Sequence, residues 1–256
     1  MTDERKREPE AEKRAPEAEK RPRFDAAALT AFGEALLRGA GLDAGKARDV
    51  AEVLVEGDLL GHDTHGLHLL GGYLGELEKG SMTADGDPGV IAERSSVATW
   101  DGRRLPGPWL VRRAIAWGAP RAHEHGAATV AIRRSHHIAC LAAYLEQPAR
   151  DGLMVVIASS DPAVASVAPF GGTQPVFTPN PLAVGIPASG GPMMIDISAS
   201  ITTNGMSNRL KAAGQRGAHP WWLDADGKPS DDPAVLFKQP PGTILPLGGL
   251  DAGHKG

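Results

Sequence analysis

Two histidine-bearing stretches hold the residue types best suited to chemistry in this chain: residues 61–70, GHDTHGLHLL, and residues 133–139, RRSHHIA. Imidazole is the side chain whose ordinary pKa lies near neutrality, so such clusters point to proton transfer or to metal binding. His62, His65 and His68 are spaced by three, and residues three apart are neighbours on a helix. Positions 62 and 68, however, are turned away from each other on a regular helix. No cysteine or carboxylate stands at metal-motif spacing in the other histidine clusters, and H-E-x-x-H is absent, so no metal ligand is assigned. His65, Leu69 and Tyr73 lie at i, i+4 and i+8, which puts an imidazole and a phenol on one helix face. There both could touch one small substrate, or both could be half-buried packing groups with satisfied tips. His136 and His137 fall between a strand and a helix, where loops on a rigid scaffold carry function. Periodicity does not choose between them.

Other signatures are missing. There is no G-x-G-x-x-G after a strand and no phosphate-binding G-x-x-x-x-G-K-[ST] loop. The Gly171-Gly172, Gly190-Gly191 and Gly248-Gly249 pairs read as turns, and no G-x-S-x-G elbow supports a serine hydrolase.

The elements that must position these residues begin at Phe24. Residues 1–23 are almost entirely Glu, Lys, Arg, Pro and Ala, with PEAEKR twice. That mixture cannot repay the entropy of ordering and is expected to be a disordered tail. Asp25 is expected to cap a helix carrying Leu29, Phe32, Leu36 and Leu37, ending near Gly39 or Gly41. Asp43 caps a second helix through Val50, Val53, Leu54 and Leu59. A third, THGLHLLGGYLGELEKG, is closed by Lys79 and Gly80. Residues 24–95 are therefore expected to form a helical lobe. From Val97 the period changes: VATW, ATVAI, LMVVIAS, LAVGIP and PMMIDI read as strands. LMVVIAS, a continuous apolar run, is expected to be buried on both faces. A helix from Trp109 to about His123 should be interrupted or ended by Pro120. Another, from about Ala139 to Asp151, should be disturbed by Pro148. A Gly/Pro-rich loop covers residues 161–181, a helix runs from Ser198 to about Gly214, and turns follow. Residues 96–256 thus read as a mixed α/β region, and the fold class as α/β or α+β.

A chain of 256 residues with 41% hydrophobic and 23% charged residues buries a substantial core. A net charge of −4 gives no reason to expect nucleic-acid or membrane partners. The single cysteine, Cys140, fits a reducing cytoplasm. No apolar run reaches the length of a membrane helix, and no signal-peptide core is present.

In order along the chain stand GHDTHGLHLLGGY, SHHIACLAAY, APFGGTQPVFTPNPLAVGIP, IDISAS, DADGKPSDDPAVLF and LGGLDAGHKG. Together they resemble the malate/L-lactate/ureidoglycolate/sulfolactate dehydrogenase family, from about Phe24 to the last residue. The resemblance implies a non-Rossmann mixed-sheet fold, NAD or NADP as cofactor, a small 2-hydroxy or 2-oxo acid as substrate, and a homodimer. It also accounts for the missing glycine fingerprint. The family's S-H-G motif falls on Thr64, His65 and Gly66, and its following tyrosine on Tyr73. Its S-x-H motif falls on Ser135 and His137, which selects the second histidine of the pair. The resemblance puts Ser160, Asp161, Asn180, Asp196, Ile197, Ser198 and Lys255 at the cofactor. Reduction of a 2-oxo acid needs a hydride at the carbonyl carbon and a proton at its oxygen, and a histidine suits the second task. His137 is then the acid/base, with His65 orienting the carbonyl or substituting for it.

Three positions depart from the family pattern. Thr64 keeps the hydroxyl of the motif serine. Leu69 stands where an arginine is common, and leucine cannot bind a carboxylate. The chain also ends one residue after Lys255, where the family continues through a further helical segment; a truncated gene or fragment, with apolar surface left open, is the expectation. The competing readings are an inactive remnant that only binds NAD(P)H or a small acid, and a histidine-based metal-binding protein.

Overall fold

The computed structural model describes residues 22–161 and 163–255, so the charged tail falls outside it except for exposed Pro22 and Arg23. Helix α1 (Ala26–Gly39) starts where expected, with the Asp25 carboxylate accepting the Ala28 N–H at 2.7 Å. Asp43 does the same for α2 (Ala44–Leu59), accepting the Lys46 N–H at 2.9 Å. These side chains satisfy backbone donors that have no partner in the helix. Helix α3 (Leu70–Glu78) is shorter than its pattern suggests, because a 3₁₀ turn (Leu67–Leu69) precedes it. His65 lies in the turn before both, so the expected shared helix face of His65 and Tyr73 does not exist. The glycine-rich turn is the reason: Gly66 adopts φ −96°, ψ −145°, outside helical geometry.

The three helices pack through Leu37, Val50, Val53, Leu54, Leu70, Tyr73 and Leu77. Phe32 and Leu36, expected on the core face of α1, are exposed. Strand β1 (Gly89–Arg94), which the alternation did not reveal, pairs antiparallel with β2 (Val97–Asp101). The expected lobe boundary at 95/96 therefore cuts a hairpin. Helix α4 (Gly107–His125) crosses over to β3 (Thr129–Arg133), parallel to β2. It runs unbroken through Pro120, which is exposed: the ring points to solvent, and the flanking turns hold the helix despite one missing hydrogen bond. The stretch around Pro148 divides into a 3₁₀ turn (Leu141–Tyr144) and α5 (Glu146–Arg150).

Strands β4 (Val155–Ala158), β5 (Leu182–Ile186) and β6 (Met193–Ile197) form an antiparallel sheet in that order. Its register puts Val155, Ile157, Ala183 and Asp196 on one face, against Cys140, Leu141, Ala142 and Leu145. The other face carries Val156, Leu182, Met193, Ile195 and Ile197, all exposed. Burial of β4 on both faces is thus not found; one side of an apolar sheet is uncovered. After α6 (Asn204–Ala212), capped by Thr203, come β7 (Trp222–Leu223), β8 (Pro229–Ser230) and β9 (Thr243–Ile244). They make a small antiparallel sheet around buried Trp222, whose Nε1–H donates to Ser207. Helix α7 (Gly249–Ala252) and a 3₁₀ turn (Gly253–Lys255) follow. Among the described residues β2 and β3 are the one parallel strand pair, so the fold is mixed α/β without a doubly wound parallel sheet.

Candidate active site

A cleft of about 1940 Å³ opens between the edge strands β3 and β4. Ala114, Gly118 and Ala122 of α4 form one wall; the turn at residues 61–65, residues 135–141 and residues 196–198 form others. Both histidine stretches therefore reach one space.

The first is fixed by a backbone knot. The Asp58 carboxylate, near the end of α2, accepts the Leu67 N–H at 2.9 Å and lies directly over Gly66. A Cβ on Gly66 would fall 2.0 Å from Asp58 Oδ1, so only glycine fits. The knot presents His65 to the cleft, with Thr64 Oγ1 3.0 Å from its Nδ1. The second stretch is held by α4: a Cβ on Gly107 would meet the His137 and His136 carbonyl oxygens at 2.3 and 2.5 Å. The helix start thus packs on the peptide backbone of the histidine pair. His136 N–H also donates to the Leu105 carbonyl, and Ser135 Oγ–H to the His136 carbonyl.

His65 and His137 stack, ring centroids 5.8 Å apart and planes 23° apart. Tyr73 is buried behind His137, its hydroxyl 2.8 Å from Nδ1 and 3.2 Å from the His137 carbonyl. The Ala139 N–H also points at Nδ1, at 3.2 Å. A backbone N–H can only donate, so Nδ1 is the unprotonated nitrogen and the neutral ring carries its proton on Nε2. Burial in the cleft lowers the His137 pKa to about 4, with His65 and His136 adding to the effect and Asp161 opposing it. Burial, then His62, lower that of His65. Burial also lowers that of His136, which faces Glu76 at 3.9 Å. The phenol of Tyr73 is pushed far above its ordinary range by burial, so it stays a neutral hydroxyl.

Ser160, Asp161, Asp196, Ile197 and Ser198 line the cleft, as do Thr64, His65 and His137. Tyr73 supports His137 from behind rather than lining the opening. Adjacent residues of β6 point to opposite faces, so the side chains of Asp196 and Ile197 diverge. The Asp196 carboxylate accepts the Ala142 N–H at 2.8 Å. Ser198 Oγ donates to the Ser200 carbonyl. Asn180 is held at φ +43°, its carboxamide oxygen buried with no partner among the described residues. The side chain of Lys255 lies outside the described structure.

Two features were not legible in the sequence. Arg104 lines the cleft close enough to act on His136 and makes no ion pair among the described residues. Arg133 and Arg134, by contrast, are tied to Asp101. Second, the spacing that argued against metal looked only within the histidine stretches, where His68 is exposed. The fold instead gathers His62, Cys140 and Asp196. Burial, then Asp196, push the Cys140 thiol up to about 11. No sequence spacing could join three positions that far apart.

Residues 24–256 match the family model described as malate/L-lactate dehydrogenase. The chain belongs to the malate/L-lactate dehydrogenase family. It is 32% identical over 235 residues to hydroxycarboxylate dehydrogenase B of Escherichia coli K12, covering 91% of this chain and 64% of that protein. It is 33% identical over 208 residues to the L-sulfolactate dehydrogenase of Methanothermobacter thermautotrophicus, covering 81% of this chain and 58% of that one. The crystal structure of malate dehydrogenase from Entamoeba histolytica superposes with a TM-score of 0.85 at 28% identity, over 91% of this chain and 66% of that one. The chain thus spans about two-thirds or less of the length of these relatives. The family's fold, expected from the ordered motifs, is the fold of this chain.

Proposed function

We propose that this chain carries the hydride-transfer site of an NAD(P)-dependent 2-hydroxyacid dehydrogenase that interconverts a small 2-hydroxy acid and its 2-oxo acid. The observation that carries this reading is the clamp on His137. Tyr73 and the Ala139 N–H occupy Nδ1, which leaves a protonated Nε2 for an oxygen in the cleft. His137 binds and polarises the substrate carbonyl through Nε2–H, and the stacked His65 fixes its plane. Delivery of a proton to the oxygen requires the imidazolium. An anionic substrate beside it favours that form, since an opposite charge raises a histidine pKa. Tyr73 Oη then serves Nδ1–H as acceptor, in place of the Ala139 N–H contact that this form gives up. With Leu69 unable to pair with a carboxylate, Arg104 holds the substrate's carboxylate.

Asn180, whose buried carboxamide oxygen has no partner among the described residues, stands in sequence between the cleft-lining Pro179 and Pro181 and is the residue of this stretch assigned to the cofactor. Ser160, Asp161, Asp196, Ile197, Ser198 and Lys255 are the further residues for the dinucleotide. When bound in reduced form, it supplies the hydride. A homodimer in the cytoplasm is the setting that goes with this reading.

Fluorescence titration with NADPH and NADH, followed by absorbance at 340 nm with a panel of 2-oxo acids, tests it. Saturable binding and turnover are expected. Binding without turnover on any acid would instead favour a chain that only binds the dinucleotide. Absence of both would overturn the proposal.

A further inference from the structure

We propose that His62, Cys140 and Asp196 form a divalent-metal site, suited to Zn²⁺, with one coordination position open to the cleft. A ring nitrogen of His62, Sγ of Cys140 and a carboxylate oxygen of Asp196 lie within 4.8 Å of one another. Tetrahedral zinc, with bonds of about 2.0–2.3 Å, sets its ligand atoms roughly 3.5 Å apart. The Sγ to Oδ2 distance, 3.9 Å, is already close to that. The remaining gap, from 4.8 Å at most, is of the size that rotation about side-chain bonds spans.

The three residues come from elements that hold them independently. His62 follows α2, its N–H bonded to the Gly57 carbonyl. Cys140, 2% exposed, precedes the 3₁₀ turn that packs on the β4–β5–β6 sheet. Asp196 is on β6, and its Oδ2 is oriented by the Ala142 N–H, the kind of outer contact that fixes a metal-bound carboxylate. The His62 ring has no hydrogen-bond partner among the described residues.

The set is chemically selective. A buried thiol facing a carboxylate gains little from it as a hydrogen-bond partner at 3.9 Å. A dication would bind both and deprotonate the thiol. One sulfur, one imidazole and one carboxylate favour Zn²⁺ over Mg²⁺ or Ca²⁺, which take oxygen ligands. Three protein ligands leave a fourth position, and His62 and Asp196 line the cleft. That position suits an anionic oxygen. The inference does not depend on the proposed dehydrogenase activity.

The chain has a single cysteine, which makes the test specific. The untagged 256-residue chain, treated with a chelator and reduced, is titrated anaerobically with Co²⁺. The expected result is one equivalent bound, with a thiolate-to-cobalt charge-transfer band in the near ultraviolet and visible bands of four-coordinate intensity. Zn²⁺ should abolish both. Only Cys140 can give the charge-transfer band, so the wild-type spectrum is decisive without any variant. Cys140→Ser should lose that band, and His62→Ala should weaken Co²⁺ binding by more than about 100-fold, beyond the cost of losing an outer-shell contact. No charge-transfer band in the wild type, or unchanged Co²⁺ affinity in His62→Ala with an unchanged circular-dichroism spectrum, would overturn the proposal.

Discussion

Gly66→Ala is the sharpest probe of how this site is built. The new Cβ would stand 2.0 Å from Asp58 Oδ1 and 2.4 Å from its Cγ, far inside any allowed contact. The carboxylate must swing away, and its hydrogen bond to the Leu67 N–H, 2.9 Å long, is lost. A hydrogen bond to a charged group contributes about 2 kcal/mol, so urea unfolding should show a loss of roughly that size. Asp58→Ala should cost a similar amount on its own. The double variant carries the diagnostic value. With the carboxylate gone, the added methyl group meets nothing at that distance, and introducing Gly66→Ala on top of Asp58→Ala should cost under about 0.5 kcal/mol. His65 follows Thr64 into the same knot, and a displacement of about 1 Å there lowers turnover about 100-fold. Additive losses in the double variant, or an unchanged midpoint in Gly66→Ala, would refute the knot as the device that positions His65.

Three further outcomes follow from the geometry. Native His137 titrates near 4 and the unfolded residue near 6.5, so stability is full above about pH 6.5 and is lost as pH falls toward 4. The shift alone corresponds to about 3 kcal/mol; the ring opens to the cleft and is screened there, so about 1 kcal/mol is expected. His65 and His136 add in the same direction, and NMR of the imidazoles against pH assigns the His137 share; a His137 midpoint near 6.5 would contradict its desolvation in the cleft. Arg104→Ala should raise the KM for a 2-oxo acid roughly 30-fold, the worth of a charge-assisted pair of about 2 kcal/mol, with kcat and NADPH affinity little changed and Arg104→Lys partly restoring it. Equal losses in KM and NADPH affinity would count against Arg104 as the carboxylate anchor. The uncovered face of the β4–β5–β6 sheet should bind the dye ANS, and Ile195→Lys should reduce that signal while changing stability by under about 0.5 kcal/mol; strong destabilisation would mean the face is packed in solution.

Local rules read best where one residue decides. Asp25 and Asp43 cap their helices as their positions before apolar periods suggest, and the strands at residues 97–101, 129–133, 182–186 and 193–197 follow from β-rich runs. Ordered motifs gave the family. Tertiary context overrode the rest. Helical spacing put His65 and Tyr73 on one face, yet Gly66 breaks the helix, and the two residues instead flank His137 from different directions. Periodicity does not choose between His136 and His137; the proposal of the second rests on the contacts of Tyr73 Oη and the Ala139 N–H with His137 Nδ1, the first of which is long-range. Pro120 should have stopped α4, but an exposed proline with both flanking turns anchored loses only one bond. Strand β1 alternates poorly because nearly all of it is exposed. The grouping of His62, Cys140 and Asp196, like the position of Arg104, depends wholly on long-range packing.

Following the hydride itself distinguishes a hydride-transfer site from a cleft that only binds the cofactor. The protein is incubated with NADPH or NADH deuterated at the transferring position and with a 2-oxo acid that turns over, and the product is examined by mass spectrometry and proton NMR. Deuterium at C2 of the 2-hydroxy acid, formed by the wild type and at least about 100-fold more slowly by His137→Asn, is the predicted result. Oxidised cofactor with no deuterium at C2, or an unchanged rate in His137→Asn, would contradict it.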